Sequence, residues 1–298
     1  MKVGIIILNW NNADGTMACL EALERLECVA GYPLVVDNGS ADDSVTRIRA
    51  RFPGVEILET GRNLGYRGGN NLGIEHALGQ GCDYVWLLND DVLVAPDSLA
   101  ALVDCAQARP RAGLLGPKVY TLEDPHRLLS AGGEFQSDWR YRHRGLGELD
   151  EGQFDEVREV DYLSGCALLA SRRLIEQAGA LDDRFFAYHE DIEWGYRARK
   201  AGFQVLFVPG ARVWHPDTVS RDALSALVTY YTSRNHLLFL TKHRLGRGAI
   251  ARCLKTYAAR ILTWSVRPKW RHKRRQRDAL VCAVTDYILG RSGKARSL

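Results

Sequence analysis

Trp86-Leu87-Leu88-Asn89-Asp90-Asp91-Val92-Leu93 passes from apolar to acidic within a single residue. An apolar run that ends abruptly in two adjacent carboxylates sets acid at the tip of a buried strand, the edge at which open α/β sheets do their chemistry. Like charges side by side repel unless a cation or a hydrogen-bond network neutralises them. The hard oxygens of Asp90 and Asp91, with the amide carbonyl of Asn89, suit Mg²⁺ or Mn²⁺ better than Zn²⁺. The competing reading is a turn shaped by Asn89 and Asp90, with Asp91 solvated. Two earlier segments repeat the build: 2–8 runs into Asn9-Trp10-Asn11-Asn12, and 33–36 runs into Asp37-Asn38-Gly39-Ser40. Helices are expected after each, over 14–26 and 42–51, the second capped by Ser40 or Asp42. Right-handed crossovers would bring the three polar strand ends together on the carboxyl edge of one mostly parallel, Rossmann-like sheet flanked by helices. Three polar tips on one edge are harder to explain as separate turns than any one alone.

Between these strands lies Gly61-Arg62-Asn63-Leu64-Gly65-Tyr66-Arg67-Gly68-Gly69-Asn70-Asn71, read as a glycine-rich loop that opens into a helix at Leu72. It is either an anion cradle, with exposed amides and Arg62 or Arg67 facing phosphate, or a structural turn. It matches neither the dinucleotide fingerprint nor a P-loop, whose Lys-Ser/Thr ending is missing.

The 298 residues suffice for one large core or two modest ones. No apolar run approaches the roughly 20 residues that span a bilayer, and 3–8 is too short for a secretory h-region, so a cytoplasmic protein is expected. Seven scattered cysteines without metal-ligand spacing read as reduced and packed. The net charge of +4 hides an asymmetry: 241–298 holds sixteen Lys/Arg against two acids, a net of +14, which leaves 4 − 14 = −10 for 1–240. Within that tail Ile250, Leu254, Tyr257, Ile261, Leu262 and Val266 recur near helical spacing, interleaved with Arg252, Lys255 and Arg260 and followed by Arg267-Pro268-Lys269-Trp270-Arg271-His272-Lys273-Arg274-Arg275. A basic amphipathic helix with Trp264 and Trp270 reads as a contact with an anionic membrane surface, on the inner face. The alternatives are a solvated face or a nucleic-acid patch, and the last would leave the acidic crevice without purpose. The division expected is 1–215 for the α/β domain that carries the crevice and 216–298 for a helical basic region. Residues 122–160, polar and rich in Gly and Arg, read as a long excursion over the site or as a disordered insertion.

Further along, 160–170 reads as a strand with small residues at Ser164-Gly165-Cys166, followed by a helix from Ser171. The aromatic, strand-like Phe185-Phe186-Ala187-Tyr188 then meets an acidic helix start at His189-Glu190-Asp191, and Gly202 stops that helix. Glu190 and Asp191 complement a helix dipole. A carboxylate beside apolar rings also has a raised proton affinity and makes a usable general base. Residues 203–209 form a strand, with His215 shortly after, either structural or a second metal or diphosphate contact.

Ile7-Leu8-Asn9-Trp10-Asn11, Val36-Asp37-Asn38-Gly39-Ser40, Asn63-Leu64-Gly65-Tyr66 through Asn70, Leu88-Asn89-Asp90-Asp91, Ser164-Gly165-Cys166 and Phe186-Ala187-Tyr188-His189-Glu190-Asp191, in this order, resemble the signature of the family 2 glycosyltransferases with a GT-A fold. Within that family the chain is most similar to the rhamnosyltransferase-like branch that builds bacterial surface polysaccharides. The resemblance implies a nucleotide site at Asn9, Trp10, Asn11, Asp37, Asn38, Arg67, Asn70, Asn89 and Asp90, with Asn9 to Asn11 and Asp37 holding base and ribose. It implies that Asp91, last in the family's Asp-x-Asp motif, binds the Mg²⁺ or Mn²⁺ that bridges the diphosphate, with His215 as a further contact. Asn89 stands where that motif often has its first Asp. Asp191 is implied as the catalytic base, with Glu190 beside it. The implied reaction is inverting transfer from dTDP-rhamnose or a UDP-sugar to a glycan or lipid-linked acceptor, with no nucleic-acid partner. Tyr230-Tyr231-Thr232-Ser233-Arg234-Asn235 recurs in the branch without a role the sequence supplies. A metal-dependent nucleotidyltransferase would also want paired acids, but should carry a basic glycine-rich loop where Asn9-Trp10-Asn11-Asn12 stands. A non-catalytic nucleic-acid-binding protein would use only the tail.

Overall fold

The structure, a computed structural model, describes residues 1–27, 31–217 and 225–295. Two compact units are present: 1–134 with 141–182 and 191–216, and 135–140 with 183–190 and 217–298.

In the first unit β1 (Val3–Asn9), α1 (Ala13–Leu23), β2 (Gly31–Asp37), α2 (Ser44–Arg51), β3 (Glu56–Glu59), α3 (Gly65–Gly79) and β4 (Tyr84–Asn89) alternate as the apolar runs predict. β5 (Leu93–Val94), α4 (Ser98–Gln107), β6 (Ala112–Thr121), β7 (Leu128–Ser130), β8 (Gly133–Phe135), β9 (Tyr141–His143), β10 (Arg158–Glu159), β11 (Ala167–Ser171), α5 (Arg172–Ala178), α6 (Glu190–Lys200) and β12 (Gln204–His215) follow. The main sheet has the order β10-β12-β6-β11-β4-β1-β2-β3. β4, β1, β2 and β3 are parallel, β11 runs antiparallel between β4 and β6, and β12 is parallel to β6.

The chain steps from β1 outward to β2 and β3, then returns across β1 to β4. The strand order therefore reverses at β1/β4, where the carboxyl ends of open sheets form a crevice. All seven residues of β1 are buried. Val3, Ile5 and Ile7 face a core with α1, α2 and α4, while Ile6 and Leu8 face one with α3, α5 and α6. A strand covered on both faces has no position for a polar side chain until it leaves the sheet, which is why the polar residues collect at its end.

Four sequence expectations change. The glycine-rich segment is not a loop as far as Asn71: α3 starts at Gly65, and Gly69 and Gly73 lie against the sheet. A Cβ at Gly73 would stand 2.6 Å from Ile6 Cγ2, so these glycines serve close packing of helix on sheet. The strand expected over 160–170 begins only at Ala167, and the aromatic run 185–188 is not a strand. Finally, 122–160 is ordered, with β7 to β10 and a buried Lys118 held by Asp150 (2.8 Å) and Asp155 (2.6 Å), so the disordered reading is set aside. Of the seven cysteines six are free thiols, and Cys28 lies outside the described residues.

The second unit contains α7 (Ala226–Lys242), α8 (Arg247–Val266), a 3₁₀ turn at Pro268–Lys273 and α9 (Arg274–Ile288). Leu237, Tyr257 and Leu280 form a small core with Ile250, Leu254, Ile261 and Trp264. Most of the apolar stripe that suggested a membrane helix is thus used in packing helix on helix, and from it only Leu262 and Val266 remain exposed.

Candidate active site

The crevice is built from three strand ends. At the end of β1, Asn9 is fully buried and uses every polar atom: Nδ2 donates to Asp37 Oδ1 (2.8 Å) and to Ser40 Oγ (3.1 Å), and Oδ1 accepts from Thr16 Oγ1 (2.8 Å). Asp37, at the end of β2, also takes the Ser40 amide (3.0 Å) and hydroxyl (2.5 Å). Ser40 is therefore not a helix cap; the Ser44 amide donates to Asp42 instead (3.1 Å). The turn between them needs Gly39, whose φ is +73° and whose Cβ would lie 2.4 Å from the Arg62 backbone. Asn38 ties this turn to α3, donating to the Gly65 carbonyl (3.2 Å) and accepting from the Leu64 amide (2.9 Å).

Asn9, Asp37 and Asn38 are thus a rigid buried frame. The exposed members of the group are Trp10, 53 % accessible, and Asn11, whose left-handed backbone (φ +52°) is held by bonds with Ser40 and Ala41. An exposed aromatic fixed at such an edge offers a stacking face to a base. Arg67 is partly buried on α3, and Asn70 is fully buried there, its Nδ2 donating to the Tyr66 carbonyl (2.9 Å).

At the end of β4, Asn89, Asp90 and Asp91 form a turn. Asp90 Oδ2 accepts from the Trp10 amide (3.3 Å). Burial and the neighbouring Asp91 push the Asp90 carboxyl up to about 7, against the opposing pull of the Trp10 and Asn12 donors. β12 ends at His215, which the sequence placed beyond its strand. The strand delivers His215 Nε2 to 3.1 Å from Asp91 Oδ1 and 3.1 Å from Asn89 Nδ2. His215 Nδ1 lies 2.8 Å from the Pro216 carbonyl, which can only accept, so Nδ1 carries a proton; Nε2 accepts from Asn89 Nδ2 when the ring is neutral and donates to Asp91 Oδ1 when it is charged. Burial alone would lower the His215 pKa, but the hydrogen bond and charge of Asp91, with Pro216 and Asp90, raise it. An imidazole nitrogen and a carboxylate oxygen at contact distance, beside a second acid that its neighbour resists ionising, form a donor set that fits a hard divalent cation. No group of three or more His, Cys, Asp or Glu suited to a metal occurs among the described residues.

Opposite β4, the loop before β11 links this turn to α6. The Cys166 carbonyl accepts from the Asn89 amide (2.9 Å), and the Gly165 amide donates to Asp191 Oδ2 (3.0 Å). Asp191 Oδ1 accepts from the Ile192 amide (2.8 Å), and Tyr66 donates its hydroxyl proton to the Gly165 carbonyl (2.5 Å). Burial raises the Asp191 proton affinity; the Ile192 and Gly165 amides oppose that only in part. Of the two carboxylates that open α6, Glu190 is buried at 6 % exposure while Asp191 stays partly accessible. Ser40 and Tyr66 stood in the sequence only as members of longer motifs; here Ser40 accepts from Asn9 and from the Asn11 amide, and Tyr66 reaches Gly165 far along the chain.

A family model described as "Glycosyltransferase like family 2" matches residues 2–230. The N-acetylglucosaminyl-diphospho-decaprenol L-rhamnosyltransferase of Mycobacterium tuberculosis is 33 % identical over 276 residues, 83 % of this chain and 87 % of that one. The low-salt glycan biosynthesis hexosyltransferase Agl10 of Haloferax volcanii is 28 % identical over 238 residues, 79 % of this chain and 74 % of its own. Among solved structures, the mannosyltransferase PcManGT of Pyrobaculum calidifontis, in complex with GDP-Man and Mn²⁺, superposes with a TM-score of 0.59 at 14 % identity, over 97 % of this chain and 87 % of that one.

Proposed function

This chain belongs to the family 2 glycosyltransferases, and from that premise we propose that it moves a sugar, with inversion, from a nucleoside-diphosphate donor to a hydroxyl of a lipid-linked or glycan acceptor. The observation that carries the reading is the bridge through Gly165 and Cys166. One end of it is bonded to the Asp191 carboxylate and the other to the Asn89 turn that presents Asp91.

Trp10 and Asn11 would take the nucleobase and ribose on the frame of Asn9, Asp37 and Asn38. Asn89, Asp90, Arg67 and Asn70 belong to the same nucleotide side. Asp91 and His215 would hold a divalent cation, which when bound offsets charge on the leaving diphosphate. The carboxylate and imidazole pair favours Mn²⁺ over Mg²⁺, and Mn²⁺ accompanies GDP-Man in the Pyrobaculum enzyme. Asp191 accepts the acceptor's hydroxyl proton as that oxygen bonds to the anomeric carbon, while the anomeric C–O bond to phosphate breaks and the electron pair leaves with the nucleoside diphosphate. The M. tuberculosis relative is named for L-rhamnosyl transfer to a decaprenol-linked N-acetylglucosamine. That supports dTDP-rhamnose as donor, ahead of UDP-sugars, and a polyprenyl-diphosphate sugar as acceptor.

Melting the protein with Mn²⁺ and a panel of dTDP-rhamnose, UDP-sugars and GDP-mannose tests the donor. The true donor at 100 times its dissociation constant adds about 2.7 kcal/mol of stability. No Mn²⁺-dependent stabilisation by any of them would overturn the reading.

An acceptor carried on lipid also gives the basic tail a use. No helix of the described residues is long and apolar enough to cross a membrane. Arg267, Lys269, Arg271, Arg274 and Arg275 are exposed, as are Leu262 and Val266 before them in the chain, and the five cations supply a charged surface for an anionic leaflet, peripherally and on the inner face. The protein should sediment with phosphatidylglycerol vesicles but not with phosphatidylcholine ones. Changing the five cations to alanine should release it, at about 1 kcal/mol, or five-fold, per charge. Wild-type protein that stays in the supernatant with anionic vesicles at low salt removes this contact.

A further inference from the structure

The approach to the carboxylates of α6 is a backbone that side-chain-bearing residues do not adopt unaided. Tyr188 and His189 stand in succession at φ +65° and +76°, the left-handed region in which Cβ crowds the carbonyl. Two such residues persist together only where their surroundings over-determine them. The constraint comes from α7. Asn235, fully buried, donates from Nδ2 to the Ala187 carbonyl (2.9 Å) and to the Tyr188 carbonyl (2.7 Å). Its Oδ1 accepts from Arg234 Nε (3.1 Å) and Nη2 (3.0 Å). Because the guanidinium can only donate, the amide has a single orientation, with both donors aimed at the turn.

Arg234 is itself fixed. It is 1 % exposed, lies over the rings of Tyr230 (4.9 Å) and Tyr231 (5.2 Å), and donates to Tyr230 Oη (2.9 Å) and to the Gly293 carbonyl (2.8 Å). Tyr230 donates in turn to Asp286 (2.7 Å), which balances the buried cation through the phenol. The same network reaches the start of the turn: the Gly293 amide donates to the Arg184 carbonyl (3.0 Å), and Phe186 stacks on Tyr231 with centroids 5.6 Å apart.

We propose that Asn235, oriented by Arg234, is a positioning residue for glycosyl transfer. It holds the left-handed turn at Tyr188 and His189 and so sets the first turn of α6, on which Glu190 and Asp191 stand. This rests on Asp191 as the base and adds what aims it. A general base displaced by about 1 Å loses on the order of 10²-fold in rate, so a turn that relaxes toward ordinary backbone costs turnover without touching the nucleotide frame on β1 and β2.

The test measures kcat, acceptor KM and Mn²⁺-dependent nucleoside-diphosphate affinity for Asn235→Ala and Asn235→Asp in the full chain. Asn235→Asp keeps the volume and Arg234's acceptor but removes both donors. Both variants should lose roughly 10- to 100-fold in kcat while nucleotide affinity stays within about two-fold of the wild type. In a Tyr188→Gly background, where glycine takes the positive φ freely, the loss from Asn235→Ala should be clearly smaller. A space-filling role predicts instead that Asn235→Asp behaves as wild type and that the loss is equal in both backgrounds; either result overturns the proposal. If Asn235→Ala does not fold, Asn235→Asp and Asn235→Ser carry the same comparison. Loss of turnover in Asp191→Asn alongside fully active Asn235 variants overturns the positioning role alone, whereas an active Asp191→Asn overturns the base assignment and the positioning role with it.

Discussion

Asp191→Asn is expected to cut turnover by roughly 10²- to 10⁴-fold, the range lost with a general base, while Mn²⁺-dependent donor affinity stays near wild type. An amide cannot take the acceptor's proton. It also fits its site less well than the carboxylate does, because both oxygens of Asp191 accept from backbone amides, Ile192 at 2.8 Å and Gly165 at 3.0 Å. One of those amides would face the new NH₂ group, so the variant should also melt lower, by about 1–2 kcal/mol in stability. Glu190→Gln should keep more activity, since Glu190 is buried where Asp191 is accessible.

The pH profile provides a second measurement. Burial raises the Asp191 pKa. The base must be ionised to work, so kcat/KM falls as pH drops through that raised value, at a pH above the ordinary carboxylate range. An acid limb at an ordinary carboxylate pKa, or wild-type turnover in Asp191→Asn, removes Asp191 from the role. A Glu190 variant less active than the Asp191 variant would exchange the two.

The parts of this site legible in the sequence are those where one physical rule acts locally. A strand buried on both faces must be apolar along its whole length, so Asn9, Asp37 and Asn89 announce strand ends by the abrupt change after 3–8, 33–36 and 84–88. The glycines misled because their composition suggested a loop, whereas they stand in a helix from Gly65 onward, with Gly69 against Leu8 and Gly73 against Ile6 and Val36. The demand there came from the sheet beneath, and tertiary packing overrode propensity. The turn at Phe186 to His189 is set by Arg234 and Asn235, far along the chain, and nothing local distinguishes it from an aromatic strand. The apolar stripe of α8 has the period of a membrane-surface helix and equally that of a helix packed on two others. Pattern alone does not separate the two, because both bury one face. His215 and Asp91 lay 124 positions apart, and only the pairing of β12 beside β6 brings them to 3.1 Å.

That pair yields the second large effect. Asp91→Asn removes the anionic oxygen that lies 3.1 Å from His215 Nε2. Even loss of an outer-sphere partner of a metal ligand costs about 10- to 100-fold in metal affinity, so loss of a charged ligand should weaken Mn²⁺-dependent binding of a nucleoside diphosphate by at least that much. Transfer should fall in parallel. His215→Ala should be milder, since it removes a neutral donor. Without metal, the same substitution should leave the melting temperature unchanged or raise it. Asp90 sits beside Asp91, and burial together with that neighbouring charge holds its carboxyl up to about 7, so neutralising Asp91 relieves a repulsion the apo protein carries at neutral pH. A residue kept only for structure would show the opposite pair of results: lower apo stability and unchanged nucleotide binding. Calorimetric titration of dTDP or UDP with and without Mn²⁺, run beside thermal melts, separates the two. Equal metal-dependent affinity in wild type and Asp91→Asn would remove Asp91 from the metal site, and the carboxylates at the end of β4 would then need another cation to explain why they stand together.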